Sequence, residues 1–314
     1  TKIIWDNSEF LIIFAVEKYT KYKIMDYKKA FDTMVEHGMD YIKSNNLKSV
    51  VLGISGGIDS TIVACIFNEV SVRLKKEGKE FEFIGISMPT DTTDKKEFEI
   101  SQMVLEAFCD YAITMDITSE AACMYGAINA HILPPILSSD TTAKYRRGNI
   151  KSRLRMIHLY DIAKAHGGIV LGTDNYTEYL LGYSTIGGDA LFDYNPIQYL
   201  WKTEIYGLAE YLLYKYKKNR VEKCYPNSGN DKASALEASI KIPPQAGLGI
   251  STTDLEEIGA PSYAVLDDIL KYLVGVNKEC HQDKDLIKVI EKRVNGNAYK
   301  RHLPILIPRE SFYE

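Results

Sequence analysis

From Met25 onward, stretches with helical spacing alternate with short unbroken apolar runs. Tyr27, Phe31 and Met34, and again Met39 and Ile42, lie three or four residues apart and, with Tyr41, predict a first helix. The apolar run from Ser49 to Ile54 predicts a buried strand, and Thr61 to Leu74 predicts a helix behind it. The alternation continues with a strand over Phe81 to Met88, a helix over Lys95 to Phe108, and a strand over Tyr111 to Met115. A long helix over Arg147 to His166 and a strand over Gly168 to Leu171 complete it. Strands separated by helices need crossover connections, which predicts an α/β fold: a doubly wound, mostly parallel sheet with helices on both faces. Two further helices are expected over Tyr263 to Leu273 and Lys284 to Val294. Past Tyr216 the chain turns polar and turn-rich, at Lys217-Lys-Asn-Arg220 and Asn227-Ser-Gly-Asn-Asp231, and a surface insertion is expected at about 217–242. Residues 1–24 precede the pattern and read as an N-terminal extension to a single domain over 25–314.

Composition narrows the function classes. With 46% hydrophobic and 25% charged residues, the chain matches an ordinary globular protein rather than a disordered or fibrous one. Thirty-eight basic against 42 acidic side chains leave a net charge of −4, so no nucleic-acid partner is expected. The apolar stretch Phe10 to Val16 is too short to span a bilayer, so no membrane partner is expected. Five cysteines without a C-x-x-C pair suggest neither a disulfide framework nor a zinc site and fit a reducing, cytoplasmic setting.

Candidate chemistry concentrates where the first strand stops and the next helix starts, at Ser55-Gly-Gly-Ile-Asp-Ser60. Ligands of open α/β sheets bind outside the carboxyl ends of strands, where a helix N-terminus offers free N–H groups to an anion. Gly56 and Gly57 let the backbone amides converge, and Ser55 and Ser60 add hydroxyl donors. Asp59 is out of place in a pure phosphate cradle and is best explained if it holds a divalent cation that bridges phosphate oxygens. A Walker loop is excluded, because Gly-Lys followed by Ser or Thr is absent. Gly53-Ile-Ser-Gly-Gly57 formally matches a nucleophile elbow, with His302 as base, but that reading leaves Asp59 unexplained. A capped glycine turn without function is the third reading. A nucleotide-phosphate site is favoured over both.

The loop resembles the pyrophosphate-binding loop of the N-type ATP pyrophosphatases, and later motifs narrow the resemblance to ammonia-dependent NAD synthetases. Gly148-Asn-Ile-Lys-Ser-Arg153-Leu-Arg-Met156 and Gly172-Thr-Asp-Asn-Tyr-Thr-Glu178 are similar to two of that family's motifs. Gly182-Tyr183, Gly188-Asp189, Asp193-Tyr-Asn-Pro196, Lys202-Thr-Glu204, Pro243-Pro244 and Tyr299-Lys-Arg-His-Leu-Pro304 follow in the family's order. The resemblance covers roughly Met25 to Pro304. It implies an adenine-nucleotide alpha-hydrolase-like fold and a two-step reaction: ATP adenylates the nicotinate carboxylate of deamido-NAD, and ammonia displaces AMP. It further implies that Asp59 and Glu178 hold Mg²⁺ and act with Lys202 in catalysis. Gly53, Ser55, Gly56, Gly57, Asp59, Ser60, Thr173, Lys202 and Gln245 would meet ATP. Tyr41, Arg153, Asp193, Tyr299 and Lys300 would meet deamido-NAD, in a site completed at a homodimer interface. No glutaminase domain is expected within this length, and free ammonia, or ammonia from a separate partner, is the implied nitrogen source.

Three positions depart from the family pattern. Ile186 stands where many relatives carry Lys, Gly247 where an acid is usual, and Tyr299 where His or Glu precedes the tail lysine. All three fall on the acid-substrate side, which leaves open adenylation of another carboxylate, such as nicotinate mononucleotide. A nucleotide-binding module without turnover is the remaining alternative, and retention of both Asp59 and Glu178 argues against it.

Overall fold

The computed structural model describes residues 25–131, 140–222, 231–244 and 253–301. Strands β1 (Ser49–Gly53), β2 (Glu82–Ser87), β3 (Tyr111–Thr114) and β4 (Gly168–Val170) form one sheet in the order β3-β2-β1-β4. Every pairing is parallel, with Gly53 opposite Ile86 and Val51 opposite Val170. β1 is central, and its near-continuous apolar sequence suits a strand covered on both faces. Alternate side chains serve different layers: Val50 and Leu52 join one core, and Val51 joins the other.

The first layer contains α1 (Tyr27–Ser44), α2 (Ile58–Lys76), α3 (Lys95–Phe108), α7 (Lys202–Glu222) and α8 (Lys232–Lys241). α1 begins at Asp26, whose carboxylate accepts from the Lys29 amide, and buries Phe31, Val35, Gly38, Met39 and Ile42 along one face. The second layer is α4 (Thr118–His131) and α5 (Asp140–Ala165), packed through Ile117, Ala121, Ile150 and Leu154. A third cluster lies beside the sheet, built from α6 (Tyr176–Leu181), α9 (Asp254–Ile258), α10 (Tyr263–Leu273) and α11 (Lys284–Gly296) around Leu181, Trp201, Leu266, Ile269 and Ile290. A 3₁₀ turn, Ala298–Arg301, follows α11.

The alternation of strands and helices holds as read from the sequence. The stretch at 217–242 does not behave as a turn-rich surface segment throughout. α7 continues to Glu222, and α8 buries Ala235 and Leu236 in the main core, where Ser239 Oγ meets Thr61 Oγ1 at 2.8 Å. The charges at Lys217 and Lys218 belong to the outer face of α7, and Lys217 pairs with Glu237 across to α8 at 2.9 Å. Two helices carried weak signals: α4, with Ala121 as its one buried residue, and the single-turn α9. α5 begins at Asp140 rather than Arg147. The extension 1–24, Gln245, Gly247, His302 and Pro304 lie outside the described residues.

Candidate active site

The carboxyl ends of β1, β2 and β4 open into a cavity of about 630 Å³, a volume suited to a nucleotide-sized ligand. The glycine loop forms its floor. Gly56 has φ +91°, and a Cβ there would lie 2.5 Å from the Glu97 carbonyl oxygen and 3.0 Å from the Ser101 amide. The turn therefore needs glycine twice over, for its left-handed backbone and for its approach to α3. Ser55 Oγ accepts from the Gly57 amide at 3.1 Å and lies 3.1 Å from Ser60 Oγ. Gly57 caps α2 without a side-chain bond, so the first-turn amides of α2 are left to a ligand.

Two other helix starts close on this loop. α6 begins with a capping box: Asn175 accepts from the Glu178 amide at 3.1 Å, and Glu178 reaches back to the Asn175 amide. Asn175 also spends its Nδ2 on Asp59 Oδ1 at 2.8 Å, tying the cap to the first turn of α2. Lys202, at the first position of α7, is 1% exposed and points its ammonium at both acids, 2.6 Å from Asp59 Oδ2 and 2.9 Å from Glu178 Oε1. Behind them Asp267 of α10 accepts from Thr177 Oγ1 at 2.6 Å and from the Thr203 amide at 2.9 Å, while Thr177 Oγ1 accepts from the Lys202 amide at 2.9 Å. This relay fixes α6 against α7 and so sets Glu178 opposite Lys202.

Burial disfavours the Lys202 ammonium, but Asp59 and Glu178 outweigh it and hold the lysine well above its ordinary range. Burial pushes Glu178 up to about 7, against the pull of Lys202. Two carboxylates share one ammonium, so the ionised cluster keeps a negative charge facing the cavity. Hard oxygen donors of this kind, next to a helix N-terminus that no side chain caps, suit Mg²⁺, which takes one or two carboxylates and completes its shell with phosphate oxygens and water.

Gly53, Ser55, Gly57, Asp59, Ser60, Thr173, Glu178, Lys202 and Lys300 line this cavity, while Gly56 packs against α3 instead. Lys300 donates to the carbonyls of Gly182 and Ser184, both at 2.8 Å. Tyr41, Arg153, Asp193 and Tyr299 are not in the cavity wall. Tyr41 packs on Tyr194, Arg153 Nε donates to the Ile186 carbonyl at 3.1 Å, and Tyr299 is exposed. Asp193 accepts from the Val170 amide at 2.8 Å and from the Tyr160 hydroxyl, which anchors the end of β4.

The whole arrangement matches a known family. The family model described as NAD synthase matches residues 30–304. The chain belongs to the NAD synthase family. An NH(3)-dependent NAD(+) synthetase of Campylobacter jejuni subsp. doylei is 32% identical over 90% of this chain and 99% of its own length. The one from Pyrococcus furiosus is 31% identical over 88% and 94%. Among solved structures, the NH3-dependent NAD synthetase of Campylobacter jejuni subsp. jejuni superposes with a TM-score of 0.64 at 26% identity, covering 90% of this chain and all of that one. An NMN synthetase from Francisella tularensis gives a TM-score of 0.72 at 22% identity over 91% of this chain and all of that one, a likeness of fold.

Within this NAD synthase chain the sequence reading passed over several residues that build the site. Asp174 and Asn175 lie inside the Gly172 to Glu178 motif, where the Asn-x-x-Glu spacing itself announces a cap. Asp267 sits in phase with Leu266, Ile269 and Leu270 on the apolar face of α10, and a carboxylate at such a position is the signal that could have found it. Arg155 forks Nε and Nη2 onto the Met88 carbonyl, both at 3.1 Å, closing the cavity at the end of β2. No helix among the described residues is long and apolar enough to cross a membrane.

Proposed function

We propose that this protein is a ligase that uses ATP to amidate deamido-NAD with ammonia, forming NAD and releasing AMP and pyrophosphate. The observation that carries the reading is Lys202 Nζ bonded to Asp59 and Glu178 in one cavity with a helix N-terminus that no side chain caps. Family membership supplies the substrate class.

A carboxylate is a poor acceptor for an amine, so it must first gain a leaving group. A nicotinate oxygen attacks the α-phosphorus of ATP, and the bond to the β-phosphate breaks. The α2 amides with Ser55 and Ser60 receive the departing pyrophosphate, and the Lys202 ammonium offsets charge beside them. Asp59 and Glu178 would hold Mg²⁺, which would supply further neutralisation of phosphate charge. Ammonia then attacks the activated carbonyl, and AMP leaves. Most of the help is positioning and charge compensation in a partly enclosed site.

The same proposal includes a homodimer. Tyr41, Arg153, Asp193 and Tyr299, expected at the dinucleotide, stand outside the cavity of a single chain. Met124 and Ile128 of α4 and Ile157 of α5 are exposed on neighbouring helices of the second layer, an apolar face that a second copy would cover. A cytoplasmic, reducing setting agrees with Cys65, Cys109, Cys123 and Cys280 being free thiols.

The test measures pyrophosphate and AMP release from MgATP and deamido-NAD, with and without ammonium, and follows NAD with a coupled dehydrogenase. NAD formation that is lost in Asp59→Ala and Glu178→Ala supports the reading. Pyrophosphate release with nicotinate mononucleotide but not deamido-NAD would transfer it to that acid. No release with any acid would leave a nucleotide-binding module.

A further inference from the structure

Arg293 of α11 is half-buried and reaches the cavity wall, which Tyr183, Asn297 and Lys300 also form. Its Nη1 donates to the Glu257 carbonyl at 2.9 Å, and its guanidinium carbon lies over the Tyr183 ring, 5.3 Å from the centroid. Its Nε is buried without a hydrogen-bond partner. Among the described residues one other buried side-chain atom shares that condition, Arg146 Nη2, and Arg146 is not in the cavity wall. A buried donor on a charged group is costly to leave unpaired, so hydrogen bonding within the chain does not account for where Arg293 sits.

Nor does a carboxylate neutralise the charge. The acids nearest to it face hydroxyls instead: Glu257 accepts from Tyr145 at 3.0 Å, and the Tyr183 hydroxyl lies 2.8 Å from Glu257 Oε2 and 3.0 Å from Asp254 Oδ1. Among the described residues Arg293 is held by a carbonyl and a ring face, which fix a guanidinium in place yet leave its full charge, and arginine does not deprotonate. Lys300, on the 3₁₀ turn that follows α11, is likewise held by carbonyls, those of Gly182 and Ser184. Burial lowers the pKa of Lys300, Asp189 opposes this, and the charge of Arg293 lowers it further. Lys300 is accounted for as a cation on the last carbonyls around the end of α6. Arg293 has no such account, and two cations held in one wall against their repulsion make that wall a place for an anion.

α6 separates this wall from the phosphate loop. Its first turn carries Glu178, bonded to Lys202, and Gly182 and Tyr183, just past its last turn, meet Lys300 and Arg293. The phosphates of ATP are provided for at the first end, by the α2 amides, Ser55, Ser60 and Lys202. The other anionic groups that enter the cavity belong to the acid substrate. Its carboxylate must keep an oxygen free to attack phosphorus, whereas its phosphate ester takes no part in bond making, and the planar fork of a guanidinium matches phosphate oxygens. We infer that Arg293 holds the phosphate ester on the nicotinate ribose of the acid substrate and thereby selects nicotinate nucleotides over the phosphate-free nicotinate riboside. The inference rests on the adenylation reading above. Both acids considered there, deamido-NAD and nicotinate mononucleotide, carry that phosphate.

The test uses the full chain with Arg293→Gln and Arg293→Lys. ATP–pyrophosphate exchange without ammonium is read with deamido-NAD, nicotinate mononucleotide and nicotinate riboside as the acid. Arg293→Gln should raise the KM of a phosphorylated acid on the order of 10- to 100-fold, the weight of a hydrogen bond to a charged group, while the KM of ATP moves less than about threefold. The wild-type preference for nicotinate mononucleotide over the riboside, read as a ratio of kcat/KM, should shrink by a similar factor. Arg293→Lys keeps the charge without the fork and should restore part of that preference. Loss on either phosphorylated acid supports the assignment, and the one with the lower wild-type KM is the source of the phosphate. An unchanged KM for both, an equal loss with the riboside, or an equal rise in the KM of ATP overturns it. Should Arg293→Gln not fold, ribose 5-phosphate decides with the wild type: competition against the acid that ribose does not show supports the assignment, and competition against ATP alone, or none, overturns it. Absence of exchange in the wild type with any acid would instead remove the adenylation reading, and this inference with it.

Discussion

Lys202 Nζ lies 2.6 Å from Asp59 Oδ2, joining the first turn of α7 to the first turn of α2 across 143 residues of sequence. The contact converts two remote helix starts into one charged cluster. Replacing Lys202 with Met leaves two largely buried carboxylates facing each other without a cation. Stability should fall by about 3 kcal/mol, as when one partner of a buried ion pair is removed, and NAD formation should drop at least about 100-fold. Urea unfolding with and without Mg²⁺ checks the first part, and Mg²⁺ should restore some of the loss. Equal unfolding midpoints for wild type and variant would contradict it.

Gly56 has a second role that its sequence neighbours lack. Its φ is +91° and the Glu97 carbonyl oxygen stands 2.5 Å from where a Cβ would be, so Gly56→Ala must displace the loop from α3. A backbone cost of about 1–3 kcal/mol is expected, together with loss of ATP affinity by tenfold or more. Calorimetric titration of ATP and a thermal melt measure the two effects; Gly57→Ala, with ordinary φ, should be milder in the melt.

Asp267 never reaches the cavity wall, yet it holds Thr177 and Thr203 in place. Asp267→Ala strands a buried hydroxyl and an amide, for a loss of about 2 kcal/mol. kcat should fall about tenfold through misplacement of Glu178 and Lys202. Thr177→Val should show part of both effects, and a double-mutant cycle should find the two strongly coupled. Additive effects would mean that the relay is not a unit.

The pH dependence of stability in chelator follows from Glu178. Its carboxyl rises from an ordinary value near 4.5 to about 7 in the folded chain through burial. Between those values the folded state holds a proton that the unfolded state has lost, so this group's contribution to stability falls as pH rises through that window and levels off above it. The slope is at most ~1.4 kcal/mol per pH unit. Glu178→Gln cannot titrate, and its melting temperature should change less between pH 5 and pH 7 than that of the wild type. Parallel curves would show that Glu178 does not carry the dependence.

The parallel sheet was legible because β1 and β2 are short apolar runs between longer helical patterns, and buried parallel strands leave that mark. α8 was not. Its sequence Lys232-Ala-Ser-Ala-Leu-Glu-Ala-Ser-Ile-Lys241 is poor in large apolar residues, and its neighbours at Asn227 to Asp231 are turn formers. Burial of Ala235 and Leu236 against α2, α3 and α7 makes it part of the core, a gain that exists only once those helices are in place.

The sequence by itself determined the glycine loop at a strand's carboxyl end and the acids Asp59 and Glu178, because local backbone geometry and charge are written in consecutive residues. It also carried the family motifs and their order. The tertiary structure decided that Asn175 and Lys202 close on Asp59, and that Asp267 braces them from behind. It also placed Asp174 in the cavity wall. These are relations between residues far apart in the chain, set by how helices stack around the sheet. Spacing along the sequence has no access to the desolvation and pairing that give such side chains their chemistry.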